Sequence, residues 1–225
     1  MANEPTHSVS IRDYALTAFL ALEALILFVA SPLSAMGVRF PLIAGGLLFG
    51  LLLLAIVLIS RSTGARILAS VAVALAIGGA LFRIYHPSLV TVWLGHFAVV
   101  AALLAISVVI AQAVFAPGRI THHRLEGAVI LYLNIALIFT SIFRLILELN
   151  PGAFARIPVQ ATEVAADSVM LYFSFTTLTS TGFGEILPLD PFARSMANLE
   201  SVLGQLYLVV LLGRLVGMYV DSSRK

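Results

Sequence analysis

The chain has 225 residues, of which 60% are apolar and only 24 are charged, 13 basic and 11 acidic. A soluble domain of this size carries about a quarter charged residues and has too little interior to hide so much apolar surface, so most of the chain belongs in a membrane. A formal charge of +2 excludes a nucleic-acid-binding surface, and the lack of any cysteine excludes disulfides, thiolate chemistry and cysteine metal sites.

Six stretches are long and apolar enough to cross a bilayer, at about 14–30, 40–60, 66–83, 89–115, 125–148 and 195–219. Ser31-Pro32, Arg61 to Gly64, His86-Pro87, Pro117-Gly118-Arg119 and a long 149–194 segment connect them. The polar leader before the first span holds one Arg and two acids, a poor signal-peptide pattern, so this span is read as a retained anchor. With the N-terminus inside, the inner segments hold seven basic residues (Arg12, Arg61, Arg66, Arg119, Arg124, Arg224, Lys225) and the outer ones four (Arg39, Arg83, Arg156, Arg194). That bias predicts both termini on the cytoplasmic side. So apolar a chain leaves no room for an appended soluble domain.

The 149–194 segment departs from a simple loop. Residues 164–178 predict a helix too short to span easily, and Gly-rich chain follows it directly. Such a stretch reads as a half-helix that enters the membrane and returns as irregular backbone, which is tolerated at depth only inside protein or along water.

Residues 176–188 read Thr-Thr-Leu-Thr-Ser-Thr-Gly-Phe-Gly-Glu-Ile-Leu-Pro. This run resembles the pore-loop signature of the potassium-channel family, Thr-x-x-Thr-Thr-Val-Gly-Tyr-Gly-Asp. The resemblance extends as an outer helix, pore helix, filter and inner helix over 125–219. A desolvated cation needs a cage of oxygens, and backbone carbonyls supply one only where residues tolerate positive φ, as Gly182 and Gly184 do. The resemblance implies K⁺ sites at the carbonyls of Ser180, Thr181, Gly182 and Phe183, ending at Gly184, with Ser180 hydroxyls as the innermost ring. It implies that Phe183 wedges against Tyr172 and Phe173, that Thr176, Thr177 and Thr179 support the loop, and that Glu185 forms a charged outer mouth. Ser180, Thr181, Phe183 and Glu185 replace the family's Thr, Val, Tyr and Asp, which makes selectivity less secure than conduction.

The implied architecture is an all-α membrane protein with six transmembrane helices, a re-entrant pore helix and a selectivity-filter loop, closed as a tetrameric pore. Residues 1–120 would form a four-helix region without voltage-sensor arginines. Residues 121–225 would form the pore domain: outer helix 125–148, pore helix about 164–178, filter 179–185 and inner helix 195–219. Gly204 lies sixteen residues after Pro188, where the family's inner helix often carries a hinge, and close helix packing explains it equally well. Ser201, Gln205, Leu208, Leu212 and Val216 share one helical stripe. By resemblance the stripe lines the conduction path and its apolar rings gate; the alternative is that it faces lipid.

The fourth span contains no Lys or Arg, so voltage gating of the usual kind is not expected. Glu23, Arg144, Glu200 and Arg214 lie within spans and should face protein or water. Arg144 is expected to pair with Glu148 or, across helices, with Glu200. His122 and His123 precede the fifth span, as a proton sensor or simply a solvated pair.

These features imply a homotetrameric, K⁺-selective channel in a cell inner membrane. Its partners would be its own copies and membrane lipid, with no nucleic acid, no cofactor and K⁺ as permeant ion. A weakly selective monovalent cation channel is the first alternative. An enzyme finds no metal spacing, nucleophile–base pair or phosphate loop, and a transporter should show two broken helices where only one is visible.

Overall fold

The computed structural model describes residues 11–38, 89–115, 122–157 and 163–223, with a few single positions between 50 and 78. The expected spans 40–60 and 66–83 therefore lie outside the described residues, apart from those positions. The described chain is helical except for two strands of two residues each. Four of its helices are long and apolar enough to cross a membrane, over 16–35, 93–112, 124–149 and 191–214. It is an all-α membrane protein.

The first helix, α1 (Ile11–Leu25), does not stop at the Ser31-Pro32 connector. It continues through a π-helical turn, Ile26–Ala30, into α2, Ser31–Ala35. A helical proline lacks an N–H, and its ring collides with the carbonyl four residues back. The widened turn removes that conflict, because the Ser31 N–H bonds to Ile26 O, five residues back. The first span is consequently longer than the composition alone predicts.

Helix α3 (Leu89–Val114) has no charged residue and is apolar on all sides, as a membrane-buried helix should be. Helix α4 (His122–Leu149) follows it. The two pack closely, and α1 packs on α4 as well, with Thr17 donating to Glu126 at 2.9 Å and Phe19 in the same core as Ile130 and Leu131. Phe19, Ile106, Ile110, Ala128 and Ile130 share one core. Residues on both sides of position 120 thus share a core. The side chains of His122 and His123 lie outside the described residues.

The second core positions the loop. Helix α5 (Glu163–Leu178) turns Phe173 inward against Phe143 of α4 at 4.9 Å and 70°. Phe154 of strand β1 (Phe154–Ala155) meets both rings edge-on, at 5.9 and 5.4 Å. Such tilted pairs are worth about 0.5–1.5 kcal/mol each beyond burial. Strand β1 pairs antiparallel with β2 (Leu187–Pro188), with Phe154 opposite Pro188, and so ties the segment before α5 to the segment after the loop. Asp190 then caps the last helix, its Oδ1 accepting from the amides of Phe192 and Ala193 at 2.8 and 3.1 Å. With Pro191 at the first helical position, this starts α6 (Pro191–Ser223) four residues before the expected boundary. Buried Ala193 and Ala197 let α6 approach the α5 core closely.

Candidate functional site

The last turn of α5 and the chain that leaves it form one hydrogen-bonded unit. The amide of Thr179 bonds to Phe175 O at 3.0 Å and that of Ser180 to Thr177 O at 2.9 Å. The amides of Thr181 and Gly182 both bond to Thr176 O, at 2.9 and 3.1 Å. Four successive N–H groups therefore return to carbonyls of residues 175–177. Side chains reinforce the turn: Thr176 Oγ1 bonds to Phe173 O at 3.0 Å, and Thr179 Oγ1 bonds to Phe175 O at 2.7 Å and meets Thr181 Oγ1 at 2.8 Å.

Beyond the turn, φ is positive at every second residue: +55° at Ser180, +54° at Gly182 and +80° at Gly184. Glycine carries such a φ without strain, whereas a serine needs support. Ser180 has it, because its hydroxyl meets Ser201 Oγ at 3.0 Å and accepts Gln205 Nε2 at 3.0 Å, both from α6. Three residues that the sequence assigned to filter and pore lining thus meet at one oxygen. The Ser180 hydroxyl, expected in the innermost ring, is therefore also tied to α6.

Phe183 stacks parallel on Tyr172, with ring centroids 6.4 Å apart, while Phe173 points into the core and does not meet it. Tyr172 donates its hydroxyl to Glu185 Oε2 at 2.6 Å. That bond to a carboxylate, with desolvation adding to it, raises the Tyr172 phenol above its ordinary range. Arg156, itself at φ +64°, donates to Gly184 O at 3.3 Å. Sequence reasoning missed Arg156, since nothing in its surroundings marks it before β1 and β2 pair.

Gly204 stands at a close packing contact. A Cβ there would stand 2.2 Å from Leu178 O and 3.1 Å from Leu178 C, both backbone atoms. Leu178 O also accepts Tyr132 OH at 3.5 Å, so the C-terminus of α5 sits between α4 and α6. Leu208, Leu212 and Val216 continue the α6 stripe and are exposed in the single chain.

The intramembrane pair of Arg144 with Glu200 does not form. Arg144 instead bonds to Asp167 Oδ1 of α5 at 2.6 Å and to Glu148 Oε1, one helical turn away, at 3.0 Å. Glu200 faces Ser174 Oγ at 2.5 Å. Asp167 and Ser174 carried no sequence signal beyond being polar residues in an apolar helix. Arg214 bonds to Phe115 O and lies over the Phe115 ring, 5.1 Å from its centroid, at the end of α3. Glu23 is buried on α1, and neither carboxylate oxygen has a hydrogen-bond partner among the described residues.

Residues 129–221 match the family model described as "Ion channel". The matched stretch contains most of α4, all of α5, the 179–185 loop and nearly all of α6, so the whole hydrogen-bonded unit lies within it. On this all-α membrane scaffold, that region is similar to ion channels. No curated protein matches the chain, and no solved structure does.

Proposed function

We propose that the protein conducts K⁺ passively and selectively through a pore closed by four identical chains. The observation that carries the reading is the direction of the amides after α5. An N–H and the carbonyl of the residue before it lie on opposite sides of one peptide. With the N–H groups of residues 181 and 182 bonded back to Thr176 O, the carbonyls of Ser180 and Thr181 therefore face away from that helix carbonyl. Positive φ at residues 180, 182 and 184 gives the loop the alternation such a row requires. Reversing φ at alternate residues turns every second peptide over, so carbonyls that would point to opposite sides point the same way. A row of such oxygens replaces the hydration shell of a cation.

One chain supplies one row, and a bare row of carbonyls is costly in a membrane. Four copies around one axis would remove that cost and form the ion sites together. In that assembly α4, α5, the 179–185 loop and α6 are the pore unit, with α6 innermost and α1 and α3 at the periphery. Glu185 lies at the outer mouth, and Leu208, Leu212 and Val216 line the inner path. The basic-residue bias supports cytoplasmic termini in a cell inner membrane. The chemistry requires no cofactor beyond the permeant ion.

A second reading, a weakly selective monovalent cation channel, draws on Ser180. Its hydroxyl is held by Ser201 and Gln205, which weakens the innermost oxygen ring. Liposomes that hold the purified protein and a K⁺ gradient separate the readings with a flux dye. K⁺ flux with Na⁺ excluded supports the first, comparable fluxes of both ions support the second, and no flux of either contradicts both.

A further inference from the structure

We infer that Glu200 is held as a neutral carboxylic acid, and that its proton, given to Ser174, makes it the positioning residue that fixes α5 beneath the loop. The inference deepens the channel reading above and rests on it for its functional part; the proton assignment itself is independent of conduction.

The argument is a count of protons. Ser174 Oγ is buried, 2.8 Å from Ala136 O of α4 and 2.5 Å from Glu200 Oε1 of α6. A serine hydroxyl owns one proton, and a backbone carbonyl owns none. Only the Ser174 proton can bridge the contact to Ala136 O. The 2.5 Å contact then needs a proton from Glu200, because two bare oxygens at that separation repel. The opposite assignment gives the serine proton to a carboxylate and leaves Ser174 Oγ 2.8 Å from Ala136 O with no proton between them, although Ala136 O keeps the Thr140 hydroxyl as a donor at 2.7 Å.

The surroundings agree. Glu200 is 0% exposed, and its Oε2 has no hydrogen-bond partner among the described residues. An ionised carboxylate there would be a buried charge without a counter-ion. The basic residue expected to serve, Arg144, is committed to Asp167 and Glu148. Among the described residues, the titratable group facing Glu200 from α4 is Tyr132, whose hydroxyl is directed to Leu178 O, and the group meeting it from α5 is the Ser174 hydroxyl.

Position gives the proton its function. Ser174 immediately precedes the residues 175–177 whose carbonyls hold the amides of 179–182. The chain of bonds Glu200 to Ser174 to Ala136 therefore clamps α5 between α6 and α4 at the level that sets those carbonyls. Loss of the proton would draw the Ser174 proton from Ala136 O to the carboxylate, release the α4 leg of the clamp and place a negative charge beside the negative C-terminal end of α5.

Infrared spectroscopy of the reconstituted full chain at neutral pH, combined with ion flux, tests this. Wild type should show a protonated-carboxyl C=O stretch that E200Q removes and that S174A shifts to higher frequency. E200Q should rescue K⁺-selective flux, because its carboxamide N–H can donate to Ser174 in the same way. E200A should lower that flux at least about tenfold, the usual scale for a buried hydrogen bond lost with its partner left unsatisfied. If E200Q removes no such band, or E200Q and E200A lose flux equally, the inference is overturned. Should E200Q fail to assemble, the S174A shift decides alone, and an unmoved band contradicts the assignment. A wild type that passes no ions at all would sink the channel reading, while the infrared result would still decide whether Glu200 carries its proton.

Discussion

Helices α4 and α6 are both long and apolar, and both pack on α5, yet the chain uses them differently. Half of the apolar window of α4 is buried within the chain, against 11% of that of α6. On the α4 side, Phe139, Phe143, Phe154, Met170 and Phe173 form a closed core. On the other side, Leu206, Val209, Val210 and Leu212 of α6 stand exposed, and so does Phe183 of the loop, at 67%. One face of α5 is a finished protein interior. The opposite face, with the inverted backbone, stands exposed in the single chain. In a membrane the difference matters twice, because lipid satisfies leucine but satisfies no backbone carbonyl.

Substitutions on the two sides should therefore fail in different ways. The largest effect is expected on the bare side, from Gly182→Ala. A Cβ there meets nothing within 4 Å, so crowding within the chain is not the cause. The cost is the +54° φ, which disfavours an L side chain by roughly 1–2 kcal/mol in every copy. K⁺-selective liposome flux should be lost with membrane insertion intact, and unchanged selectivity would refute the role given to this backbone.

Next comes the junction of the two sides, Gly204→Ala. Its Cβ would overlap the Leu178 carbonyl, and overpacking of this kind costs about 1–3 kcal/mol, more than the roughly 1 kcal/mol that Ala gains in helix propensity. The thermal midpoint of the detergent-solubilised protein should fall by several degrees. A preserved midpoint with altered opening would restore the hinge reading of this glycine.

On the finished side, Arg144→Ala should cost less. It leaves the carboxylates of Glu148 and Asp167 without their arginine, but the Asp167 side chain is 59% exposed and water offsets part of the loss. A decrease of about 1–2 kcal/mol in unfolding free energy is expected, with ion selectivity retained. Loss of selectivity at unchanged stability would contradict the division between the two sides.

The smallest effect belongs to Tyr172→Phe. This removes the exposed bond to Glu185 and leaves the stacking on Phe183 available. Because the Tyr172 phenol is raised, the contribution of its proton is present below the ordinary tyrosine range and is lost as pH rises through the raised value. The wild type should thus exceed the variant slightly in thermal midpoint at neutral pH, and the gap should close in strong alkali. A gap that widened there would reverse the sign of the argument.

The short helix over 163–178 and its glycine-rich continuation were legible in the sequence because they depend on local order. An apolar run, a hydroxyl-rich turn and glycines two apart dictate the same backbone wherever they fold. The start of α6 was placed at 195 by the apolar pattern, four residues late, because the capping contacts of Asp190 lie outside that pattern. The first helix misled for a physical reason: Pro32 ends a regular α-helix, and the π turn that accommodates it leaves no mark in composition. The polar pairs were beyond reach. Arg144 was a candidate for any acid nearby, and only packing gave it Asp167, 23 residues away, while Glu200 went to Ser174, 26 residues away. For Gly204 the sequence offered two meanings, and the close approach of Leu178 O supports the packing one.

The central claim is that the inverted backbone at residues 180–184 selects K⁺ when the chain is assembled. The reversal potential of wild-type protein in a planar bilayer, with K⁺ on one side and Na⁺ on the other, tests it most directly. The account predicts a reversal potential driven far towards the value at which K⁺ alone permeates. A reversal potential near zero, or a bilayer that carries no current at any potential, would contradict it.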